Sequence, residues 1–489
     1  GHRALKVQDA GATAYNVAVG KDAGLSVSTG VNNTLLGAFA GDALTTGGSN
    51  VAIGRSALSS EDGHGHNVAI GAFALLNQNA GDNAYNVAVG SNAGENITTG
   101  KRNTILGGLA GDALTTGADN VAIGYQAMTT DDAGGRNVAV GKGALESQNG
   151  GDANVFNIGI GYHAGNSMTS GTLNTIIGGN AGDALTTGSS NIAIGYNALS
   201  TEDTGQANIA IGQGALQTAN FDGTGYNVAV GHEAGKLITT GVRNTVIGSL
   251  AGAALTTCQF NVALGFNSLS SEDDHGRNTA IGTNTLQAQN AGANGFNVAV
   301  GYDAGFSVTT GTQNTIIGAL AGDALTTGGN NVAVGYAALS SEDTGGKNVA
   351  IGYLALSTED TGSRSVAIGH GALRNQNNDT NNYNTAVGFD AGNLITTGIK
   401  NTLVGGLAGD ALNGGGNNVA IGYAALSTED GHSANVAVGY QALTTQNAGA
   451  DAYNVAVGYN AGQAVTTGGN NTLLGAFAGD ALTTGGSNV

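Results

Sequence analysis

The chain has 489 residues, of which 87 are Gly, none is Pro or Trp, and only 10% are charged. Gly follows no three-residue period, which excludes collagen, and the apolar residues are mostly small, which favours a long thin core over one deep core. The net charge of −19, from 15 basic and 34 acidic residues, argues against nucleic acid as a partner because phosphate binding needs clustered Lys and Arg.

The first predicted element is a short motif that begins at Asn16 and recurs along the whole chain. It reads Asn, then Val, Thr or Ile, then a small or apolar residue, then Val, Ile or Leu, then Gly. It starts 28 times between Asn16 and Asn488, with Ser365 once in place of Asn. The starts are spaced 17, 17, 17 and then 19 or 20 residues apart. The spacing predicts a 17-residue rung and a superperiod of four rungs.

The four rungs differ in a consistent way. The first type reads NVAVGYDAGFSVTTG (297–311), and the second reads NTIIGALAGDALTTG (314–328). The third type carries an acidic pair, as in NVAVGYAALSSEDTG (331–345), and the fourth has the long connection of NVAIGAFALLNQNAGDNAY (67–85). The third type occurs twice in succession, at Asn331 and Asn348. Because one whole extra rung is tolerated, we expect 17 residues to form one structural turn.

Three alternating residues followed by Gly predict a short strand in each rung. Helices are not expected, since Gly and Asn interrupt every window before about 10 residues accumulate. Rungs this short cannot close a core alone, so the sequence predicts an all-β, parallel β-solenoid or β-roll, a single continuous array over residues 1–489. Like strands about 4.8 Å apart would give a rod of roughly 130 Å. We further expect a fragment of a longer fibre protein, since the chain starts at Gly1 and ends in mid-pattern.

The repeated asparagine is predicted to be structural. Stacked Asn side chains can form a hydrogen-bonded ladder along a solenoid, and Asn suits the turn into a strand. The Gly four residues later is expected to supply a positive φ or a close backbone approach. The ladder begins with these residues: Asn16, Asn33, Asn50, Asn67 and Asn86.

The strand positions indicate a wall that is covered on both faces. The second residue after Asn is Ala in most rungs and Leu, Ile or Val in every second-type rung, and it is never polar. The first and third residues are Val, Ile, Leu or Thr, although a wall with one wet face should alternate polar with apolar residues. We therefore expect a further copy of the chain as the second cover, met by second-position residues such as Ala229.

The repeat resembles a known family. The segment SVAIG at Ser365–Gly369, with its near copies NVAIG and NVAVG, resembles the head repeats of the trimeric autotransporter adhesins on bacterial surfaces. Similar repeats occur in phage tail-fibre-like proteins. The resemblance covers nearly the whole chain and implies a left-handed β-roll of three chains, a homotrimeric fibre located outside the cell, at the cell surface or on a virion. The 17-residue unit and the four-rung superperiod depart from the family pattern.

Seven acidic pairs mark the third-type rungs, and we interpret them as solvated turns that keep the fibre soluble. Calcium binding is the weaker alternative, because it needs six to eight oxygens in one region and no EF-hand loop is present. Its best candidates are the pairs of the doubled rung: Glu342, Asp343, Glu359 and Asp360. Otherwise no metal or cofactor is expected. The sequence GHGH (63–66) occurs once and is not predicted to bind zinc.

Aromatic residues recur in two places. One set follows the strand Gly, as at Tyr125 and Tyr196, and the other precedes Asn at the long connection. We interpret both as plugs that shield the loop bases, with a row of sugar- or receptor-facing platforms as the alternative. The set at the long connection comprises Tyr15, Tyr85, Phe156, Tyr226, Phe296, Tyr383 and Tyr453.

The sequence therefore predicts a non-enzymatic structural fibre, the shaft or adhesive head of an extracellular appendage. No repeated element offers a unique cleft, so no catalytic residue is assigned. A phage or viral tail-fibre shaft, with receptor recognition elsewhere, is the alternative setting, and a glycan-binding or ice-binding solenoid is a further one. The predicted partners are other copies of the chain and a cell-surface or glycan receptor. Membrane insertion by this segment is not expected, because no apolar run approaches about 20 residues.

Overall fold

The computed structural model describes residues 1–11, 13–151 and 154–489, and it shows an all-β parallel solenoid. Within those ranges the chain forms 27 strands and no helix, and it therefore has no helix there that is long and apolar enough to cross a membrane. The strands are three residues long and start one residue after each ladder asparagine, as the repeat predicts. Two compact units divide the chain, residues 1–243 and residues 244–489. The single continuous array over residues 1–489 stays a prediction.

The first unit contains thirteen strands. They are β1 Val17–Val19, β2 Thr34–Leu36, β3 Val51–Ile53, β4 Val68–Ile70, β5 Val87–Val89, β6 Thr104–Leu106, β7 Val121–Ile123, β8 Val138–Val140, β9 Ile158–Ile160, β10 Thr175–Ile177, β11 Ile192–Ile194, β12 Ile209–Ile211 and β13 Val228–Val230. From β1 to β13, consecutive strands pair in parallel and in register, so that Ala52 of β3 lies beside Ala69 of β4.

The second unit contains fourteen strands. They are β14 Thr245–Ile247, β15 Val262–Leu264, β16 Thr279–Ile281, β17 Val298–Val300, β18 Thr315–Ile317, β19 Val332–Val334, β20 Val349–Ile351, β21 Val366–Ile368, β22 Thr385–Val387, β23 Thr402–Val404, β24 Val419–Ile421, β25 Val436–Val438, β26 Val455–Val457 and β27 Thr472–Leu474. The doubled third-type rung pairs like any other, with Ala333 of β19 beside Ala350 of β20.

The core of each rung is thin, and two of its buried positions compensate for each other in side-chain size. Counting from the ladder asparagine as position 0, positions 2 and 8 are buried. In the second-type rung position 2 is Leu35, and position 8 is Gly41, where an added Cβ would lie 2.9 Å from Leu35 Cδ2. In the third-type rung position 2 is Ala52 and position 8 is Leu58. In these two rung types one of the two positions holds a large side chain, and the position that holds it alternates.

First-type rungs carry a small residue at both positions, such as Ala88 and Gly94. Ile97 of the same rung and both neighbouring rungs fill the space, since a Cβ at Gly94 would meet Ile97 Cδ1 at 2.9 Å, Ile105 Cδ1 at 3.0 Å and Leu75 Cδ2 at 3.1 Å. Core volume is therefore balanced over adjacent rungs, which gives the four-rung superperiod a physical cause.

The glycine at position 4 packs directly against its counterpart in the next rung. Gly37 has φ 137°, and an added Cβ would lie 2.3 Å from the carbonyl oxygen of Gly54. Both expected reasons for glycine therefore apply, since the φ disfavours any side chain and the backbone approach leaves no room for one.

Candidate functional site

The repeated asparagines form a buried column of hydrogen bonds. The backbone N–H of Asn33 donates to Asn16 Oδ1 at 2.8 Å, and that of Asn50 donates to Asn33 Oδ1 at 2.9 Å. Asn67 and Asn86 continue the series at 3.0 and 3.1 Å. The side-chain amide donates to a carbonyl at the end of its own rung, as from Asn33 Nδ2 to the Gly47 oxygen at 2.9 Å. The ladder thus links side chain to backbone from rung to rung.

The strands turn their second residue inward and their first and third residues outward. Ala229 is completely buried within its own chain, so the expectation that it meets another copy is wrong. The outward residues are Val, Ile, Leu or Thr in all 27 strands, with no charged residue among them. Val17 is 52% exposed and Leu106 is 46% exposed. The uncovered surface is therefore an apolar sheet face, which we call the outer strand face.

The aromatic residues of the long connection lie at the surface. All seven are between 46% and 76% exposed, so they do not plug the loops. Several contact a neighbouring cation or ring: Tyr85 stacks on His66 at 5.0 Å between centroids, and the Arg136 guanidinium lies 5.5 Å from the Phe156 ring. These residues form an exposed edge, whose role in binding stays a prediction.

A second set of aromatic residues stacks one rung apart. In residues 244–489, Tyr336 stacks on Tyr353 at 5.4 Å, Tyr353 on His370 at 5.1 Å, and His370 on Phe389 at 5.1 Å. Tyr336, Tyr353 and Phe389 are about half exposed. Rings in register stabilise the stack through their faces and leave their edges in solvent.

The acidic pairs divide between interior and surface. The first acid of every pair is completely buried, so its interpretation as part of a solvated turn is wrong, whereas the second acid is exposed or partly exposed. The buried carboxylate accepts a backbone N–H three residues later, as from Gly205 N to Glu202 Oε1 at 2.7 Å. The buried acids are Glu61, Asp131, Glu202, Glu272, Glu342, Glu359 and Glu429.

Burial raises the pKa of these carboxyl groups because the charged form loses its hydration. It raises the pKa of Asp131 to about 6, that of Glu272 to about 7 and that of Glu342 to about 8, against the opposing effect of the backbone N–H bonds. Glu359, one rung beyond Glu342, raises the pKa of Glu342 further by charge repulsion.

The predicted calcium candidates use much of their oxygen capacity within the protein. Glu359 accepts bonds from Gly362 N at 2.9 Å, from Asn382 Nδ2 at 2.9 Å and from Gln376 Nε2 at 2.6 Å. Glu342 accepts from Gly345 N and from Asn348 Nδ2. Asp343 is exposed and Asp360 partly exposed. Calcium binding by Glu342, Asp343, Glu359 and Asp360 stays a prediction.

Histidine follows the buried acid in three of the seven acidic turns, a pattern that the sequence analysis missed. These turns are Glu61-Asp62-Gly63-His64, Glu272-Asp273-Asp274-His275 and Glu429-Asp430-Gly431-His432. His432 Nδ1 lies 2.8 Å from Glu429 Oε1, and His64 Nδ1 lies 3.4 Å from Glu61 Oε1. The fixed spacing of three residues between the buried acid and the histidine was the signal that could have identified them. This spacing becomes visible only when the rungs are aligned with one another.

No protein family model matches the chain, and no curated protein matches its sequence.

Proposed function

We propose that the chain is a structural, non-enzymatic segment of an extracellular fibre, its shaft or adhesive head, in which several copies associate through the outer strand face. The observation that supports this proposal is the composition of that face, to which every described strand contributes at least one Val, Ile or Leu and no charged residue. Within each unit neighbouring strands pair side by side, as in Ala52 beside Ala69 and Ala333 beside Ala350, so their outward residues adjoin. Soluble monomers seldom expose large contiguous apolar patches. The resemblance to trimeric autotransporter adhesins favours three copies.

Analytical ultracentrifugation tests the association. We expect a trimer, and we expect the paired substitution Leu106→Lys and Ile160→Lys on the outer strand face to dissociate it, because charges would be buried without partners. Thr116→Lys and Thr187→Lys, at exposed positions of turns in the same unit, are the matched control and should leave the assembly intact. A folded wild-type monomer at micromolar concentration would overturn the proposal.

A second candidate function is glycan or receptor binding along the exposed aromatic edge. It is favoured by the seven partly exposed rings and by the Arg side chains beside several of them. A glycan array and host-cell binding separate the two functions. Binding that disappears when Tyr85, Tyr226 and Tyr383 become Ala supports an adhesive edge, whereas no binding supports a spacer, as in a virion tail-fibre shaft with recognition elsewhere.

A further inference from the structure

Position 14 of the third-type rung is sterically suited to glycine. In the glycine turns an added Cβ at Gly134 would lie 2.5 Å from Asp131 Oδ2, and one at Gly205 would lie 2.6 Å from Glu202 Oε1. Four of the seven acidic turns have glycine there, and the other three have histidine: His64, His275 and His432. In three turns an imidazole ring therefore lies beside a buried carboxylate, at a position where glycine fits without steric conflict.

In two of these turns three ligand atoms converge. Glu61, Asp62 and His64 each direct one oxygen or nitrogen to within 4.8 Å of the others, and so do Glu429, Asp430 and His432. His432 Nδ1 lies 2.8 Å from Glu429 Oε1 and 3.9 Å from Asp430 Oδ1. Ligands of a tetrahedral zinc ion lie about 3.3–3.5 Å apart, since each bond is about 2.0–2.2 Å long. The two distances in the second turn, 2.8 and 3.9 Å, therefore lie on either side of the ligand-to-ligand distance around one zinc ion.

The buried members of both clusters retain unused hydrogen-bonding capacity. Glu61 and Glu429 are completely buried, yet Oε2 of each has no hydrogen-bond partner, and His64 Nδ1 has none either. The matching oxygen of Glu342, in a glycine turn, accepts a bond from Asn348 Nδ2 at 3.1 Å. Oε2 of Glu202, in another glycine turn, and Oε2 of Glu272, in the third histidine turn, have no partner either, so the open oxygen marks a site only where three ligand atoms also converge. Buried polar atoms without partners are rare in native proteins and indicate a ligand or a water that completes them.

The ladder asparagines that follow the histidine turns also lack hydrogen-bond partners for their side-chain nitrogens. In the rungs that follow the histidine turns, the side-chain nitrogens of Asn67, Asn278 and Asn435 have no hydrogen-bond partner. In the rungs that follow two of the glycine turns, Asn137 Nδ2 donates to Asp131 Oδ2 at 3.3 Å and Asn348 Nδ2 donates to Glu342 Oε2. The histidine turns therefore differ from those glycine turns by an unsatisfied polar site, and an amide donor there could bind a water coordinated to an ion.

We propose that the Glu61-Asp62-Gly63-His64 turn and the Glu429-Asp430-Gly431-His432 turn each bind one divalent transition-metal ion, for which Zn²⁺ is the best match. One imidazole nitrogen and two carboxylate oxygens are zinc ligands, and the exposed side of the turn leaves water to complete the coordination. Calcium prefers six to eight oxygen ligands and fits this mixed set less well. The ion would neutralise a carboxylate that is otherwise buried beside the ladder.

The third histidine turn supplies an internal control. Its third residue is Asp274 instead of Gly, and Asp273 Oδ1 accepts the backbone N–H of Asp274 at 2.7 Å. Among the described residues this turn does not bring three ligand atoms together, and it is the only histidine turn that does not. We therefore expect two zinc ions per chain and weaker binding, if any, at His275.

Isothermal titration calorimetry of the chelator-treated full chain with ZnCl₂ tests the proposal. We expect two sites per chain, one after His64→Gly, and none after His64→Gly with His432→Gly. Glycine is the residue that four sister turns carry at this position, so folding should be preserved and can be checked by circular dichroism. The matched control His275→Gly should keep two sites, and CaCl₂ should not compete.

A second pair of variants leaves the buried positions unchanged. Asp62→Asn and Asp430→Asn should weaken zinc binding at least tenfold at their own turns only. The proposal is overturned if the wild-type chain binds no zinc, if binding survives the double histidine variant, or if His275→Gly removes a site. Either of the last two outcomes would assign the zinc to residues outside the two proposed turns.

Discussion

Gln376 Nε2 donates a 2.6 Å hydrogen bond to Glu359 Oε2, and the two side chains occupy the same position of successive rungs. This position, the eleventh after the ladder asparagine, forms a buried column that runs aliphatic, aliphatic, acid and Gln in most superunits. Polar residues thus enter the core in adjacent pairs, and in this pair the amide satisfies one oxygen of the buried carboxylate.

Removing one member of that pair should destabilise the second unit. Gln376→Leu takes a donor from the buried Glu359 carboxylate, so we expect a loss of about 1–3 kcal/mol in the free energy of unfolding, measured by urea denaturation. The double variant Glu359→Leu with Gln376→Leu should recover much of the loss, because Leu occupies the equivalent position at Leu412. A double variant less stable than the sum of both single changes would contradict this explanation.

The stability of the second unit should fall as pH rises. The pKa of Glu342 is raised to about 8 in the folded chain, above its value of 4.5 when exposed, so the folded state holds the proton more tightly. The stabilisation is complete below about pH 4.5 and is lost as pH rises through about 8. Urea midpoints at pH 5, 7 and 9 measure it, and Glu342→Gln should reduce the dependence. A midpoint that increases with pH would refute the assignment.

Replacing either of two adjacent glycines by alanine should change the stability by very different amounts. Gly178 has φ 134°, and an added Cβ would lie 2.5 Å from the carbonyl oxygen of Gly195, so Gly178→Ala should cost about 2–4 kcal/mol. An added Cβ at Gly179 would meet Tyr196 Cδ2 at an ordinary 3.5 Å, so Gly179→Ala should change stability by less than about 0.5 kcal/mol. Thermal denaturation of both variants compares them directly, and equal effects would exclude the close approach as the cause.

Breaking the ladder should open one rung before its neighbours. Asn191→Ala removes the acceptor of the Asn208 N–H bond (3.0 Å) and the donor to the Gly205 carbonyl (2.8 Å), at an expected cost of about 2–4 kcal/mol. Hydrogen exchange followed by mass spectrometry should show faster exchange of the Asn208 amide. Asn191→Ser is the comparison, because Ser365 replaces the asparagine naturally. Unchanged exchange at Asn208 in the alanine variant would show that the ladder contributes little.

The strands and the rung length could be predicted from the sequence, because a short alternating motif before Gly repeats at a fixed spacing. Which strand residues point into the core could not be predicted from the sequence. Ala229 and its neighbours Val228 and Val230 are all apolar, so the alternation that identifies an inner face is missing. In strands such as this one the small residue points inward and the large ones point outward, which reverses the usual expectation.

The buried acids were misinterpreted for a related reason. Glu61 stands next to Asp62 in a polar turn, and that local context indicates solvent exposure. Seventeen residues earlier stands Leu44, which is completely buried. In a repeat the residue one rung away is a better guide to burial than the residue next in sequence, since both occupy the same place in the stack. The histidine turns become visible by the same alignment.

The ladder bond has a direction, since each asparagine oxygen accepts the backbone N–H of the rung that follows. A deletion or insertion of seventeen residues restores the match of donor to acceptor. The extra residues of a long connection are accommodated outside the ladder, since Asn86 N still donates to Asn67 Oδ1 at 3.1 Å across 19 residues. Arrays of this kind should therefore change length in whole rungs during evolution. The extra rung at Asn348 is such a step, and it placed two buried acids, Glu342 and Glu359, in neighbouring layers.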